Sequence, residues 1–96
     1  MLQFVIIAND GEDDDAINRR MAVRPNHLDG ARKLKANNNY VVGGAMLNEE
    51  GKMTGSIMIV QFETEQQMKE WFDNEPYVKG SVWKKVEIKS FRVADV

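Results

Sequence analysis

The chain contains no cysteine. This absence excludes disulfide bridges, thiolate nucleophiles and thiolate metal ligands together. It also fits a reducing compartment, so we expect a cytoplasmic location. Only two prolines occur in the 96 residues, and no low-complexity segment suggests a linker between separate domains.

Long hydrophobic runs and a strong net charge are missing too. No apolar run approaches the ~20 residues that a membrane-spanning helix needs. The apolar stretch Met1–Ala8 has no basic segment and no small-residue cleavage site, so it predicts a strand and not a signal peptide. The formal net charge is -2. We therefore expect neither a nucleic-acid partner nor a membrane partner.

The composition that remains is that of an ordinary globular protein. Apolar residues make up 43% of the chain and charged residues 29%, which argues against disorder. A chain of this length has no room for two independent cores. We therefore predict one domain over residues 1–96.

The first part of the chain predicts a strand, an acidic loop and a helix. Leu2–Asn9 is rich in β-branched residues and apolar at even and odd positions, as in a strand buried on both faces. Asp10–Asp15 predicts a loop with an aspartate as helix N-cap and further acids in the first turn. Apolar positions then recur at helical spacing over Ala16–Ala36. Pro25 either kinks this helix or starts a second one.

The remainder predicts three strands, a second helix and a helical turn. In chain order these are a strand over Tyr40–Leu47, a hairpin loop over Asn48–Lys52, a strand over Ser56–Phe62, a helix after the capping-box residue Thr64, a helical turn over Pro76–Gly80, and a last strand over about Val82–Val93. The charged residues interleaved in the last strand suit the edge of a sheet.

This order of elements predicts a ferredoxin-like βαββαβ sandwich, an α+β fold with a four-stranded antiparallel sheet. The first and third strands are central in that topology, and here they are the two strands with apolar residues on both faces. Two helices cover only one face of such a sheet, so another surface must bury the second face. We therefore predict a homodimer that packs sheet face on sheet face.

RNA-recognition modules share this order of elements. Their third strand presents a basic residue and two aromatic residues for base stacking. Ser56–Phe62 offers aliphatic side chains instead, in an acidic protein, which argues against RNA binding. We also find no cluster with metal-ligand spacing, no phosphate-binding glycine loop and no Ser-His-Asp pattern, so we predict no metal site.

The only histidine, His27, is the first candidate for chemistry. It lies seven residues from both Arg20 and Leu34, so the three fall within about 20 degrees of one line on an unbroken helix. A histidine near the packed stripe is by default a structural residue, and as a functional group it would be a general acid or base. Arg20 and Arg24 are by default surface or ion-paired residues, and could instead hold an anionic substrate.

Glu75, which precedes Pro76, is the second candidate. By default it is a solvated loop carboxylate, and in a functional role it would orient the His27 imidazole or share its proton. Four aromatic residues are expected to belong to the core rather than to a stacking platform. They are Trp71, Phe72, Tyr77 and Trp83.

Three motifs in this order resemble those of the YciI-like, or YCII-related domain, family. They are Arg-Pro-Asn-His-Leu at 24–28, Thr-Gly-Ser at 54–56, and Glu-Pro-Tyr-Val at 75–78 followed by Gly80. The correspondence extends over essentially the whole chain, through Val-Glu-Ile-Lys-Ser-Phe at 86–91. The resemblance implies a ferredoxin-like protomer that forms a dimeric α+β barrel, in agreement with the architecture predicted from the pattern.

The resemblance also implies a site. The family pairs the histidine of Arg-Pro-x-His with the aspartate of Asp-Pro-Tyr/Phe, and these positions fall on His27 and Glu75 in this chain. Glu75 departs from the family's aspartate by one methylene. The residues that we assign to substrate binding around this pair are Arg20, Arg24, Ser56 and Tyr77.

An enzyme similar to this family is a dehydrochlorinase that acts on a chlorinated hydroxyhydroquinone without metal or organic cofactor. Related dimeric barrels include lactone isomerases. The resemblance therefore implies a cofactor-independent lyase, hydrolase or isomerase that uses acid–base chemistry on a small cyclic or aromatic metabolite. The alternative is a non-catalytic small-molecule-binding or regulatory homodimer of the same fold, in which His27 is structural.

Overall fold

A computed structural model describes residues 1–96 as four strands, two longer helices and one helical turn. The elements are β1 (Leu2–Asp10), α1 (Ala16–Ala36), β2 (Tyr40–Leu47), β3 (Met53–Phe62), α2 (Glu65–Asp73), α3 (Pro76–Lys79) and β4 (Trp83–Phe91). The predicted βαββαβ order is confirmed, and α3 is the predicted helical turn. β3 begins three residues earlier than predicted, and β4 is shorter at both ends.

The sheet has the order β2-β3-β1-β4, and all neighbouring strands are antiparallel. β1 pairs with β3 so that Phe4 faces Val60 and Ile6 faces Met58. β1 and β3 are therefore central, and the charged β4 lies at an edge, as predicted. The ferredoxin-like α+β fold is confirmed.

The two faces of the sheet are covered very differently. Phe4, Ile6 and Ala8 of β1 are buried, with Met58 and Val60 of β3, in the core that the helices cover. Val5 and Ile7 lie on the other face with Ile57 and Ile59, their cross-strand partners in β3, and Ile57 is 40% exposed. The prediction that both central strands are buried on both faces is thus wrong for the single chain, because its helices cover only one face.

The start of α1 differs from the prediction. Asp15 occupies the N-cap position, but its side chain makes no capping hydrogen bond, and the first turn contains no acidic residue. Asp15 has helical backbone angles, φ -92° and ψ -1°, whereas a capping residue is normally extended so that its side chain reaches the free N–H groups. The Asp15 carboxylate instead accepts a hydrogen bond from the Asn18 amide at 3.3 Å.

α1 runs through Pro25 as a single helix of 21 residues. A second helix starting at Pro25 is therefore excluded. Because the helix is continuous, residues four and seven positions apart remain on one side of it. Arg20, Arg24 and His27 consequently follow one another along the same side of α1.

The start of each later helix is determined by local hydrogen bonds. The Thr64 hydroxyl accepts from the Gln67 N–H at 3.1 Å, and the Gln67 side chain accepts from the Thr64 N–H at 3.2 Å, which confirms the capping box. Glu75 is extended and caps α3, while Pro76 occupies the first turn. No helix of the structure is both long enough and apolar enough to span a membrane.

Candidate functional site

His27 lies on α1 opposite the N-terminus of α3. Its side chain is buried, and its Nδ1 is 3.0 Å from Oε1 of Glu75. The same Glu75 oxygen accepts a hydrogen bond from the Tyr77 N–H at 2.7 Å. Glu75 is therefore held in place by its capping role, and the structure brings together the two residues proposed as the pair. Glu75 is buried, so the default interpretation of this residue as a solvated loop carboxylate is wrong.

The carboxylate determines which nitrogen of His27 is available. An ionised carboxylate only accepts hydrogen bonds, so the Nδ1 that faces Glu75 carries a proton. In a neutral imidazole Nε2 then has the free lone pair. The arrangement can accept a proton at Nε2 and stabilise the resulting imidazolium through Glu75.

Tyr77 lies between His27 and Arg20. Its ring stacks on the His27 imidazole, with centroids 4.0 Å apart and an interplanar angle of 13°, and the Arg20 guanidinium carbon is 4.7 Å from the ring centroid. Arg20 and His27 are seven residues apart on α1, which corresponds to about 10.5 Å along a helix axis. A ring this close to both side chains must be inserted between them.

Arg20 is also held by polar contacts. Its Nη1 donates to both carboxylate oxygens of Asp10, at 3.0 and 3.1 Å, and its Nη2 donates to Oγ of Ser56 at 2.8 Å. The Trp83 indole N–H donates to the same Ser56 oxygen at 3.3 Å. Arg20 and Ser56 thus have their main hydrogen-bonding partners within the protein. Burial raises the pKa of the Asp10 carboxyl, and Arg20 acts against this rise.

Asp10 is the main residue that the sequence pattern missed. The sequence pattern predicts an acidic loop from this position onward, whereas in the structure Asp10 is the buried last residue of β1. A signal was present, because Asp10 continues the inward-facing positions of Phe4, Ile6 and Ala8 with a period of two. A carboxylate at such a position requires a cation beside it.

Arg24 differs from Arg20. It is only partly buried and takes part in none of the ion pairs of the chain. Its charge is therefore available to a ligand.

Five of the six proposed site residues line one cavity of about 100 Å³ between α1 and the β2–β3 side of the sheet. They are Arg20, Arg24, His27, Ser56 and Tyr77. The sixth, Glu75, lies behind His27 and lines a separate groove of about 660 Å³ beside α1 and α2. The His27–Glu75 pair consequently lies between the cavity and the groove.

Gly43 and Tyr77 shape the interior of the cavity. A Cβ added at Gly43 would lie 2.9 Å from the Tyr40 hydroxyl and 3.2 Å from Cγ of Met58, so the glycine allows these two side chains to pack closely against β2. Burial raises the pKa of the Tyr77 hydroxyl above its ordinary value of 10.0. The phenol therefore stays protonated at neutral pH.

No three His, Cys, Asp or Glu side chains come together as a metal-ion site.

The fold and site together define a ferredoxin-like α+β protein with a His–carboxylate pair beside a small cavity. The model of the YCII-related domain family matches residues 2–92. The chain therefore belongs to the YCII-related domain family, and the resemblance seen in the sequence motifs is confirmed.

Curated relatives support the same assignment over nearly the full length. The chain is 35% identical to an uncharacterized protein of Haemophilus influenzae, over 95% of this chain and 97% of that protein. It is 33% identical to protein YciI of Escherichia coli O6:H1, over 93% of this chain and 95% of that protein.

Solved structures share the fold. The chain matches a 5-chloro-2-hydroxyhydroquinone dehydrochlorinase of Burkholderia phenoliruptrix, solved in complex with 2,5-dihydroxybenzoquinone, with a TM-score of 0.81 and 23% identity over 96% of this chain and 95% of that chain. It also matches a dimeric ferredoxin-like protein of Jannaschia, with a TM-score of 0.57 and 13% identity over 97% of this chain and 100% of that chain. At these identities the likeness concerns the fold alone.

Proposed function

We propose that this protein is a cofactor-independent enzyme in which His27 transfers a proton and Glu75 orients the imidazole. The observation that supports this most directly is the 3.0 Å contact between His27 Nδ1 and Glu75 Oε1, because it leaves Nε2 as the reactive nitrogen of a residue that lines the cavity. A histidine held in this way is suited to general acid–base catalysis.

The reaction that fits this site is an elimination or isomerisation of a small cyclic compound. Nε2 takes a proton from the substrate, and the imidazolium is stabilised by the Glu75 carboxylate. In an isomerisation the same nitrogen returns the proton to another atom. In a dehydrochlorination the electron pair left by the proton forms a new double bond in the substrate as chloride leaves with the electron pair of the C–Cl bond, and the proton on Nε2 is later released to water.

Arg24 is the proposed anchor for the substrate. Its guanidinium has no ionic partner in the chain and its side chain lines the cavity, so it can bind an anionic group of a ligand. Arg20 and Ser56 form part of the wall. Because their hydrogen bonds are mostly satisfied within the protein, they serve mainly to position the cavity.

We also propose that two copies associate through the uncovered sheet face. Apolar side chains on this face, including Ile57 at 40% exposure, favour burial against a second copy. The Jannaschia protein that shares the fold is itself described as dimeric. The expected partners are thus a second copy of the chain and a small-molecule ligand.

The proposed activity is tested with 5-chloro-2-hydroxyhydroquinone, the compound that names the Burkholderia enzyme. We expect the protein to release chloride from it. His27→Gln should lose on the order of 10²- to 10⁴-fold in rate, and Glu75→Gln should lose less because its amide oxygen can still cap α3. Asn26→Ala, at an exposed neighbour of His27, is the control and should keep the wild-type rate.

Two results would contradict this activity. One is chloride release that stays at the uncatalysed rate with the wild-type protein. The other is unchanged release by a folded His27→Gln protein. The alternative is a non-catalytic homodimer in which His27 is structural. It would be supported if the protein binds small molecules without turnover and if His27→Gln lowers only the thermal stability.

A further inference from the structure

The Tyr77 hydroxyl is a buried donor without an acceptor. Tyr77 has no exposed surface, and its hydroxyl oxygen has no hydrogen-bond partner in the chain. Buried polar groups of native proteins are nearly always paired, so an exception calls for a ligand, a water molecule or a functional explanation. Nε of Arg20, another residue of the same cavity, is also buried without a partner.

The Tyr77 ring cannot easily move to find a partner elsewhere. The ring is inserted between His27 and Arg20, and its own backbone N–H is bound to Glu75. Trp83 contacts it edge-on, with ring centroids 5.5 Å apart. The hydroxyl is therefore held in one place before any ligand arrives, which lowers the entropic cost of binding.

The charges around the cavity favour an anion. None of its 13 lining residues is an aspartate or glutamate. The charge of Arg20 is balanced by Asp10, whose oxygens lie 3.0 and 3.1 Å away, whereas the charge of Arg24 is not balanced by any ion pair. The lining thus carries one uncompensated positive charge beside a phenol that stays protonated.

From these observations we infer that the cavity binds a small organic oxyanion whose charged oxygen accepts a hydrogen bond from the Tyr77 hydroxyl, with Arg24 balancing the charge. The ligand is a short carboxylate or a ring enolate, since both present the same kind of oxygen. This inference rests on the site described under the proposed function and adds the substrate class to it.

The size of the cavity limits the ligand further. A cavity of about 150 Å³ is known to accommodate benzene, and this one has about 100 Å³. It therefore accepts a short acid, or the oxygen-bearing edge of a single ring, with the rest of the molecule toward the opening. A large or bicyclic ligand does not fit within it.

The test compares two anions with neutral molecules of similar shape. Propionate is matched with propionamide, and 1,3-cyclopentanedione, which is an enolate at neutral pH, is matched with cyclopent-2-enone. Binding to the wild-type protein is followed by titration of backbone amide signals in NMR spectra. We expect at least one anion to bind on the order of tenfold more tightly than its neutral match. Preferred binding of propionate would identify the ligand class as a carboxylate, and preferred binding of 1,3-cyclopentanedione would identify it as a ring enolate.

Tyr77→Phe removes only the hydroxyl. We expect the variant to bind the preferred anion on the order of 10- to 100-fold more weakly, as for a hydrogen bond to a charged group. Its melting temperature without ligand should be equal to or above that of the wild type, because an unpaired buried hydroxyl has been removed. A merely structural tyrosine would show the opposite pattern, with lower stability and unchanged binding.

Val78→Ala is the matched control in α3. Val78 packs against the core and does not line the cavity. This variant should therefore have a lower melting temperature than the wild type and bind the anion with an affinity within about twofold of the wild-type value. Equal binding of anions and neutral matches, absence of binding by both anions, or full anion affinity in Tyr77→Phe would each overturn the inference. Because binding and not turnover is measured, oxyanion binding by a protein without chloride release would refute the proposed activity and leave this inference standing.

Discussion

At the scale of single residues, Asp10 organises the buried charge of the site. It accepts two hydrogen bonds from Arg20, and both side chains of the pair are only 3% exposed. Arg20 in turn donates to Ser56 and lies over the Tyr77 ring. One carboxylate at the end of a strand thus determines the position of a cation that two other site residues, Ser56 and Tyr77, contact.

Asp10→Asn should therefore destabilise the protein strongly. It leaves the Arg20 guanidinium buried without a counter-charge, and breaking a buried pair in this way costs about 3–5 kcal/mol. Asp29→Asn is the matched control, because the Asp29–Arg32 pair is exposed and such pairs contribute about 0–1 kcal/mol. Urea unfolding of the two variants measures both free energies. Equal losses of unfolding free energy in the two variants would show that the buried Asp10–Arg20 pair stabilises the protein no more than an exposed pair does.

At the scale of elements, two glycines have opposite roles. A Cβ at Gly30, inside α1, would meet no atom within 4 Å. A Cβ at Gly55, in β3, would lie against the carbonyl oxygen of Ala8 and 3.2 Å from Cα of Asn9 in β1. The first glycine only makes the unfolded chain more flexible, whereas the second allows two central strands to approach each other.

We accordingly predict opposite effects of alanine at the two positions. Gly30→Ala should raise the free energy of unfolding by about 0.5–1 kcal/mol, since it improves helix propensity without a clash. Gly55→Ala should lower it by about 1–3 kcal/mol, as for other overpacked sites. Thermal and urea unfolding provide the comparison. A loss of stability in Gly30→Ala would mean that α1 requires the glycine for a reason other than space.

At the scale of the whole molecule, the uncovered sheet face governs assembly. Ile57 lies in the central strand β3, where its direct neighbours are Ile7 of β1 and Gly44 of β2. Val5 and Ile59 continue the apolar surface beside it. A single chain has no further element to cover this face, because α1 and α2 lie on the other side of the sheet.

We expect light scattering to give the mass of two chains for the wild-type protein and of one chain for Ile57→Glu. The variant would bury an unpaired carboxylate between the two sheets, which is strongly unfavourable. Ile88→Glu is the control. Ile88 is similarly exposed, at 38% against 40% for Ile57, but it pairs with Ile6 and therefore lies on the helix side of the sheet. A wild-type monomer, or a dimer that persists in Ile57→Glu, would refute the sheet-to-sheet arrangement.

Much of the fold follows from short-range patterns. The capping box at Thr64 and the turn after Pro76 involve residues within a few positions of one another, so the sequence alone predicts them correctly. The central places of β1 and β3 follow from their apolar residues, because a strand flanked on both edges is shielded most from water. The predicted capping hydrogen bond of α1 is absent for an equally local reason, since Asp15 has helical backbone angles and its carboxylate contacts the Asn18 side-chain amide instead of a free backbone N–H.

The sequence by itself determined the order of elements, the layout of the sheet, the family and the two positions of the His27–Glu75 pair. Only the tertiary structure decided what surrounds the pair. His27 and Glu75 are 48 positions apart and Arg20 and Ser56 are 36 apart, and no periodicity encodes contacts at such separations. They arise when α1 crosses the sheet and α3 packs against α1, which places a tyrosine ring between two side chains and in the wall of the cavity.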